Sequence, residues 1–308
     1  MSDRETEPAP LEVSVVICSR ERPGLLEDTV RSVLDGERVP AELVVVDQSV
    51  SANSALAATG TVRGCEVRYL HSDTSGLSRA RNVGLRAARH DVAVLIDDDM
   101  FVEADWLERL VAGRPDGGRS VATGRVLPAP PEGDGGIVPP AALVERDEPA
   151  VFRGPQSLDV VPGANVALPR HLVLELGGYD ERLGAGTRFA AADDNDMGHR
   201  LLAAGCEVHH VPGAVVLHRA WRSRDERLRL RWDYGRGKGA FLAKHSALGD
   251  QHVRSRARAE VARRLRRAWE SLPREPKAAA LELISLGGLA SGALGWKVRE
   301  GLRRRSPG

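Results

Sequence analysis

The chain has 308 residues, 42% of them hydrophobic, and a formal net charge of +1. These values predict an ordinary soluble globular protein, folded as one large domain or as two closely joined halves, with no overall bias toward nucleic acid or anionic lipid. The charge is uneven, because residues 219–308 hold 23 Lys and Arg against nine Asp and Glu, whereas residues 1–218 hold 21 against 34. The acidic front part and the basic tail therefore need separate explanations.

The N-terminus and the cysteines bear on cellular location. The first ten residues, MSDRETEPAP, lack the apolar stretch of a signal peptide, so we expect a short disordered lead-in at 1–10. Cys18, Cys65 and Cys206 are widely spaced and form no CxxC pair. We expect them to be reduced and buried, as in a cytoplasmic protein.

Apolar runs alternate with helical patterns over the first hundred residues. Buried strands are predicted at 13–17, 43–46, 67–70 and 92–96, and helices between them at 25–35, 51–59 and 78–89. The helix at 78–89 has small residues along one stripe and should pack closely on a sheet. This alternation predicts right-handed crossovers and an α/β fold with a mostly parallel, Rossmann-like sheet and helices on both faces.

The fourth strand ends in three carboxylates, Asp97, Asp98 and Asp99. In open α/β sheets ligands bind at the carboxyl ends of the strands, so these acids form a candidate site. In an extended chain Asp97 and Asp99 would project to one side and Asp98 to the other. Three adjacent acids need a counter-charge, and the arrangement suits Mg²⁺ or Mn²⁺ shared with a phosphate group. The alternative is a polar turn that happens to be acidic.

The second half of the chain is less regular. We predict a helix at 106–111, strands at 121–126, 162–168 and 214–217, and a helix that begins at the acidic cluster 193–196. Residues 127–149 are rich in Pro and Gly, too irregular for a sheet, and loops of this length are usually lids, binding loops or disordered inserts. The last short strand leads to His218, and a glycine-rich basic segment follows at 235–245.

Two helices are predicted at the C-terminus, a strongly basic one at 254–269 and one rich in Ala, Leu and Gly at 278–296. The second has the length of a membrane span, but Glu282, four glycines and basic residues at both ends argue against a span. We expect it to dock on the body or to lie on a membrane surface, with the Arg-rich helix touching anionic head groups. A merely solvated basic face is the alternative. Nucleic-acid binding is disfavoured because the arginines lack interleaved aromatic residues.

Several stretches, taken in order, resemble the inverting family 2 glycosyltransferases of GT-A fold. They are SVVICSRERPGLLEDTVRSVL, VVVDQS, GLSRARNVGL, the strand ending in DDD, PGANVALPR, GGYDERLGAG, DDND and a later His. The likeness covers roughly residues 11–248. It implies a nucleotide-sugar-binding half at 11–125 and an acceptor-binding and catalytic half at 126–250, followed by a basic helical extension at 251–308.

The reaction implied by this resemblance is a metal-dependent, inverting transfer of a sugar from a nucleotide diphosphate to a hydroxyl acceptor. A UDP-sugar is the first expectation for the donor, and the acceptor is a glycan, a lipid-linked sugar or a small molecule. The expected cofactor is Mg²⁺ or Mn²⁺. The expected location is the cytoplasm, with a possible peripheral contact to the anionic inner face of the membrane and no nucleic-acid partner.

The resemblance also assigns donor-site roles. Asp47 would receive the nucleotide base, Arg81 would lie near the diphosphate or the base, and Asp97 would be the ribose-side or sugar-side acid. Asp99 would bind the metal, with Asp97 and His218 completing that site. The remaining implied donor-site residues are Ser19, Arg20 and Asp98.

On the acceptor side, Asp194 resembles the catalytic base of a Glu-Asp-x-Asp motif. Asp193 stands where Glu is usual, which leaves open which of the two acids is the base. A carboxylate in the first turn of a helix faces free N–H groups and the positive end of the helix dipole, so we expect Asp194 to stay ionised and to be a ready but weak base. The implied acceptor-site residues are Asn165, Tyr179 and Trp221, although core packing explains the two aromatic residues equally well.

Each assignment has a structural alternative. The acids at 193–196 could cap a helix, Asp47 could be a turn residue, His218 a core histidine, and Arg81 the partner of a nearby acid. The alternative functions are a non-catalytic carbohydrate- or nucleotide-binding protein of the same fold and a nucleotidyltransferase. A nucleotidyltransferase should have a glycine-rich basic signature after the first strand, where residues 18–24 offer only Gly24.

Overall fold

The computed structural model describes residues 8–132 and 136–305. Most of the lead-in predicted at 1–10 lies outside the described residues, as do residues 133–135 of the predicted loop and 306–308 of the predicted C-terminal extension. The described chain forms one ten-stranded sheet with helices packed against it.

The first half of the described chain alternates strands and helices as the pattern predicts. Its elements are β1 (Leu11–Ser19), α1 (Pro23–Leu34), β2 (Pro40–Asp47), α2 (Ser54–Ala57), β3 (Thr61–Val62), β4 (Cys65–His71), α3 (Leu77–Ala87), β5 (Val92–Asp97) and β6 (Met100–Val102). The short strand β6, directly after the three acids, has no counterpart in the sequence-based prediction.

The second half adds antiparallel strands and the C-terminal helices. Its elements are α4 (Trp106–Ala112), β7 (Ser120–Pro131), β8 (Ala150–Arg153), β9 (Val166–Pro169), α5 (Arg170–Glu175), α6 (Asp193–Ala203), β10 (Glu207–Ala220), α7 (Arg227–Ala247), α8 (Gln251–Ser271) and α9 (Pro276–Arg305). Single 3₁₀ turns lie at Pro140–Ala142 and Arg224–Glu226.

The strand order is β3-β4-β2-β1-β5-β9-β7-β10-β6, with β8 also paired to β10. Strands β4, β2, β1 and β5 are parallel, which confirms the predicted parallel sheet. Strand β9 runs antiparallel to both of its neighbours, β5 and β7. Because β1 lies between β2 and β5, the crossovers diverge on either side of it, and a crevice forms at the carboxyl ends of these strands.

Apolar residues on both faces of the central strands form the core. In β1, Val15 and Ile17 pack into one cluster with α1 and α4, whereas Val16 packs into a second cluster with α3, α5 and α6. A Cβ added at Gly84 would overlap the Val16 side chain, so α3 lies close to the sheet as its small residues predict. All three cysteines are buried and unpaired.

The predicted loop at 127–149 begins too early, because β7 continues to Pro131 and pairs with β10. On its other side β7 has β9 as its neighbour, and these two strands pair only at Ala122 and Thr123. The prolines of β7 therefore lie in the part of the strand that pairs with β10 and not with β9. The N–H groups that prolines lack are not needed there for hydrogen bonds to β9.

The glycine-rich segment at 235–245 forms the C-terminal half of α7, a helix of 21 residues. Added Cβ atoms at Gly235 and Gly239 would overlap backbone of α9, and those at Gly288 and Gly292 would overlap backbone of α7. The glycines thus allow two helices to touch at backbone distance, and this packing overrides their low helix propensity.

Helix α9 docks on the body along this seam. Trp296 is 3% exposed and packs against Phe189 with ring centroids 5.7 Å apart, while Arg182 pairs with Glu300 at 2.7 Å. Residues Pro276–Leu302 are nevertheless long and apolar enough to cross a membrane, and 33% of the most apolar window is buried. One face of α9 therefore belongs to the protein core, and the opposite face is open.

Candidate active site

A cavity of about 730 Å³ opens at the carboxyl ends of β1 and β5, a size typical of small-ligand sites. The sequence-predicted residues that line it are Ser19, Arg20, Arg81, Asp97, Asp98, Asp99, Asp193, Asp194 and His218. Residues predicted for the donor, the metal and the base are thus brought to one place, although they are up to 199 positions apart in the chain.

The acid turn consists of Asp97, the last residue of β5, with Asp98 and Asp99 in the tight turn before β6. Asp98 accepts hydrogen bonds from Ser19 Oγ at 2.6 Å and Arg22 Nη1 at 3.0 Å. The same Arg22 nitrogen lies 3.8 Å from Asp99. Because the strand ends at Asp97, the predicted alternation of the three side chains does not continue through the turn. Burial raises the pKa of Asp98 to about 6, although Arg22 favours its ionised form.

Asp99 and His218 meet at the edge of the acid turn. His218 Nε2 lies 3.8 Å from Asp99 Oδ1, too far for a hydrogen bond, and both side chains are at most 4% exposed. The other carboxylate oxygen of Asp99 accepts a hydrogen bond from Trp221 Nε1 at 2.9 Å. An oxygen and an imidazole nitrogen that face each other without bonding fit a divalent cation of the Mn²⁺ type. Trp221 donates to Asp99 and is not among the cavity-lining residues. This geometry favours a role in positioning Asp99 over the predicted role in binding the acceptor.

Arg81 connects the two groups of acids in the cavity. Its guanidinium donates to Asp97 at 3.0 Å, to Asp193 at 2.6 Å and to the carbonyl oxygen of Gly163 at 2.6 Å. The side chain is 4% exposed, so these charge-assisted bonds lie out of water and hold the arginine firmly. Arg81 therefore pairs with nearby acids, as the structural alternative states, and these pairs lie in the wall of the cavity.

The α6 acids, Asp193 and Asp194, differ in their partners. Asp193 is buried against Arg81, whereas Asp194 is partly buried and accepts a hydrogen bond from the N–H of Asn195 at 2.8 Å. Burial, together with nearby Asp193 and Asp159, raises the pKa of Asp194 to about 7. The expectation that the helix start keeps Asp194 a weak, fully ionised base is wrong, because desolvation and like charges outweigh the helix dipole.

Three predicted residues lie in packing positions instead of lining the cavity. Asp47 accepts hydrogen bonds from the N–H and Oγ of Ser49 and from Tyr69, so its carboxylate closes a turn, as the structural alternative states. Asn165 is completely buried and bonds to Trp106 and to backbone oxygens of β7 and β10. Tyr179 is 2% exposed, beneath Arg81. The geometry favours structural roles for all three.

The sequence-based prediction missed two arginines beside the acid turn. Arg22 lies over the Trp221 ring at 4.6 Å, and Arg222 lies over the same ring at 4.7 Å and 3.8 Å from Asp99. Arg22 stands two residues after the predicted Arg20 in the same turn, which was the available signal. Arg222 gave no signal, since its approach depends on the path of the chain after β10.

The model of the family described as Glycosyl transferase family 2 matches residues 14–157. The glucosyl-dolichyl phosphate glucuronosyltransferase of Haloferax volcanii is 32% identical over 224 residues, which are 70% of this chain and 72% of that protein. This chain belongs to glycosyltransferase family 2. The predicted family is confirmed, and the chain is a glycosyltransferase.

A second relative is the pre-mycofactocin glycosyltransferase of Mycobacterium tuberculosis. It is 29% identical over 231 residues, which are 73% of this chain. The match spans 45% of that protein's length, so the relative contains a large part that this chain does not match.

Solved structures confirm the GT-A type fold. The mannosyltransferase PcManGT from Pyrobaculum calidifontis, in complex with GDP-Man and Mn²⁺, has a TM-score of 0.61 and 15% identity, covering 92% of this chain and 87% of that one. GalNAc-T7 with UDP, GalNAc and Mn²⁺ has a TM-score of 0.51 and 20% identity, covering 78% of this chain and 51% of that one. At these identities the likeness supports the fold alone.

Proposed function

We propose that this glycosyltransferase is metal-dependent and inverting, and that it moves a sugar from a nucleotide diphosphate to a hydroxyl acceptor. The observation that supports this proposal best is that the acid turn and the α6 acids line one cavity and are tied together by Arg81. A donor held at the first group would place its sugar toward the second.

On the donor side, Asp99 and His218 would hold the cation, with Asp97 as a further ligand. When bound, Mg²⁺ or Mn²⁺ offsets the negative charge that the diphosphate gains as its bond to the sugar breaks. Arg22 and Arg222 both reach Asp99 and are within reach of a phosphate bound there. This arrangement combines a hard-cation site with two guanidinium groups, which suits a nucleotide diphosphate.

On the acceptor side, Asp194 would take the proton from the attacking hydroxyl. Its pKa near 7 is close to the working pH of most enzymes, where a general base is most effective. Asp193 is held by Arg81 at 2.6 Å, so its carboxylate is already engaged by a buried partner. With the diphosphate at the acid turn and the base at α6, displacement would be in line and the configuration at the anomeric carbon would invert.

Binding and transfer assays test the donor assignment. We expect UDP, GDP or dTDP with Mn²⁺ to raise the melting temperature by about 5 °C at one hundred times its Kd. A panel of nucleotide sugars should release nucleotide faster with Mn²⁺ than with EDTA. Metal-dependent binding without turnover would instead indicate the non-catalytic alternative, and an unmoved melting temperature would show that the donor assignment is wrong. Release of pyrophosphate from a nucleoside triphosphate supplied together with a sugar 1-phosphate would indicate a nucleotidyltransferase.

We also propose a peripheral contact with an anionic membrane through the end of α8. Leu265, Trp269 and Leu272 follow one another at helical spacing and are 52%, 77% and 54% exposed. Arg266 and Arg267 stand between them, both exposed. Exposed Trp and Leu flanked by arginines fit the boundary between lipid head groups and acyl chains.

Vesicle co-sedimentation tests this contact. The protein should bind vesicles of phosphatidylglycerol and phosphatidylcholine more strongly than pure phosphatidylcholine, and the difference should shrink in high salt. Trp269→Gln should weaken binding, whereas the matched change Leu248→Gln, at an exposed residue between α7 and α8, should not. Equal binding to both vesicle types would rule the contact out.

A further inference from the structure

The cavity has a second, basic wall contributed by α7, α8 and the loop before β9. The charged residues of this basic wall are Lys238, Arg256, Arg263, Arg264, Asp159 and Glu260, all of which line the cavity. None of them belongs to the acid turn, the α6 acids or the metal site.

The charges on the basic wall do not cancel. Lys238 and Arg256 both pair with the single carboxylate of Asp159, and their side chains are 12% and 8% exposed. Burial lowers the pKa of Lys238 even though Asp159 is its direct partner. Two buried cations that share one carboxylate leave a net positive charge at this point of the wall. Buried charges are normally neutralised by a partner. A second anion for Lys238 and Arg256 could reach them from the cavity.

The carboxylates near the other two arginines do not supply the missing negative charge, because these arginines already engage them. Arg263 and Arg264 both pair with Glu260, and Arg264 also pairs with Glu282 at 3.1 Å. Among the described residues, four cations of the basic wall thus face three carboxylates, one of which does not line the cavity. Arg146 also lines the cavity and adds a further positive charge.

The basic wall adjoins the proposed base. Lys238 Nζ donates to Asn195 Oδ1 at 3.2 Å, and Asn195 directly follows Asp194. Asp159, at the centre of the wall, is close enough to raise the pKa of Asp194. A general base must lie within hydrogen-bond reach of the hydroxyl that it deprotonates. An acceptor that Asp194 deprotonates would therefore occupy the part of the cavity beside Asp194 and the basic wall.

We infer that the acceptor bears an oxyanion, a phosphate or a carboxylate, that the basic wall binds while a neighbouring hydroxyl faces Asp194. This inference rests on the proposed function. The oxyanion supplies the negative charge that Lys238 and Arg256 lack, and Arg263, whose side chain is 37% exposed, can turn toward it. Binding the anion would fix the acceptor's orientation before the proton is removed.

Calorimetric titration of the full chain saturated with UDP and Mn²⁺ tests this inference. Glucuronate and glucose 1-phosphate serve as charged probes, one for each source of the oxyanion, and glucose is the neutral probe. We expect at least one charged sugar to bind about tenfold more tightly than glucose, as expected for a hydrogen bond to a charged group. Equal affinities, or no binding of any of the three sugars, would overturn the inference.

Variants on α8 locate the effect. Arg263→Gln should weaken the binding of the charged sugar about tenfold and leave the binding of glucose unchanged. The fold should persist, because Glu260 keeps Arg264 as its partner. Arg258→Gln is the matched control, since Arg258 is exposed on the same helix and is not among the cavity-lining residues. An equal loss for charged and neutral sugars would show that Arg263 acts only on the fold.

The same titration separates the two proposals. Failure of UDP and Mn²⁺ to bind would refute the donor site and with it the proposed function. Binding of UDP and Mn²⁺ without a preference for charged sugars would refute the anionic acceptor alone.

Discussion

The acid turn and the α6 acids are two groups of aspartates in one cavity, yet their surroundings differ. The acid turn has a ring of cationic and polar partners, with Arg22 and Ser19 on Asp98 and Trp221 on Asp99. Of the α6 acids, Asp193 has Arg81, while Asp194 receives one backbone hydrogen bond and faces other carboxylates. The first group lies beside arginines and a tryptophan N–H, although burial raises the pKa of Asp98 to about 6. The second group contains one carboxyl that can exchange a proton near pH 7.

This contrast shows how one residue type performs two tasks. A carboxylate surrounded by donors is stabilised as an anion, whereas one that is desolvated beside like charges holds its proton more tightly. Arg81 bonds to both groups, so the charge on one is felt by the other. Substitutions that remove one member at a time can therefore test whether the two roles are separate.

The largest effect is expected for Asp194→Asn. The amide cannot accept the hydroxyl proton, so turnover should fall by about 10²- to 10⁴-fold. Donor binding, measured as the UDP- and Mn²⁺-dependent rise in melting temperature, should be unchanged. If Asp193→Asn lowers turnover this far with an unchanged melting temperature while Asp194→Asn does not, the base is the neighbouring residue.

Asp99→Ala should abolish metal binding at the acid turn. It removes the carboxylate that faces His218 and leaves Trp221 Nε1 without its acceptor, so metal-dependent nucleotide binding should be lost. Thermal melts with UDP, with and without Mn²⁺, measure this loss. Asp116→Ala, at an exposed position, is the control and should retain the metal-dependent shift. A normal shift in Asp99→Ala would exclude Asp99 as a ligand.

Arg81→Gln should disturb both groups together. It leaves Asp97 and Asp193 without their shared buried partner, and breaking a buried ion pair typically lowers the free energy of unfolding by about 3 kcal/mol or more. Chemical denaturation measures the loss. Arg79→Gln on the same helix is the control, because its pair with Glu181 is largely exposed and should contribute less than about 1 kcal/mol. Equal losses in the two variants would mean that Arg81 does not hold the groups together.

The smallest effects concern pH. Since the protonated form of Asp194 cannot act as a base, kcat/KM should rise with pH through about 7 and then level off. A rise centred near pH 4 would mean that the pKa of Asp194 is not raised in the working enzyme.

Stability should depend on the same group with the opposite sign. The folded pKa of Asp194 lies above its ordinary 3.8, so between these values the folded state binds a proton that the unfolded state does not. This contribution favours folding at low pH and is lost as the pH rises through about 7. The melting temperature of Asp194→Asn relative to the unchanged chain should therefore increase from pH 5 to pH 8, and a constant difference would contradict this account.

The predictions from sequence failed where packing decided the outcome. No helix is predicted for the glycine-rich segment at 235–245, but the segment lies in a 21-residue helix that α9 approaches at backbone distance. The prolines at the end of β7 predict a loop, yet they extend a strand that pairs with β10. The acceptor-site roles of Asn165 and Tyr179 stay predictions, and both side chains are buried among partners from other elements. In each case the deciding partner is distant in the chain.

The sequence by itself determined the α/β alternation, the acids at the end of β5 and at the start of α6, and the family. These features depend on local periodicity and on short runs of residues, which a single stretch of chain contains in full. Only the tertiary structure decided the ionisation of Asp194, the bridging role of Arg81 and the meeting of Lys238 with Asp159. A pKa and a charge balance depend on burial and on neighbours within a few ångströms, and the fold brings those neighbours from strands and helices far apart in sequence.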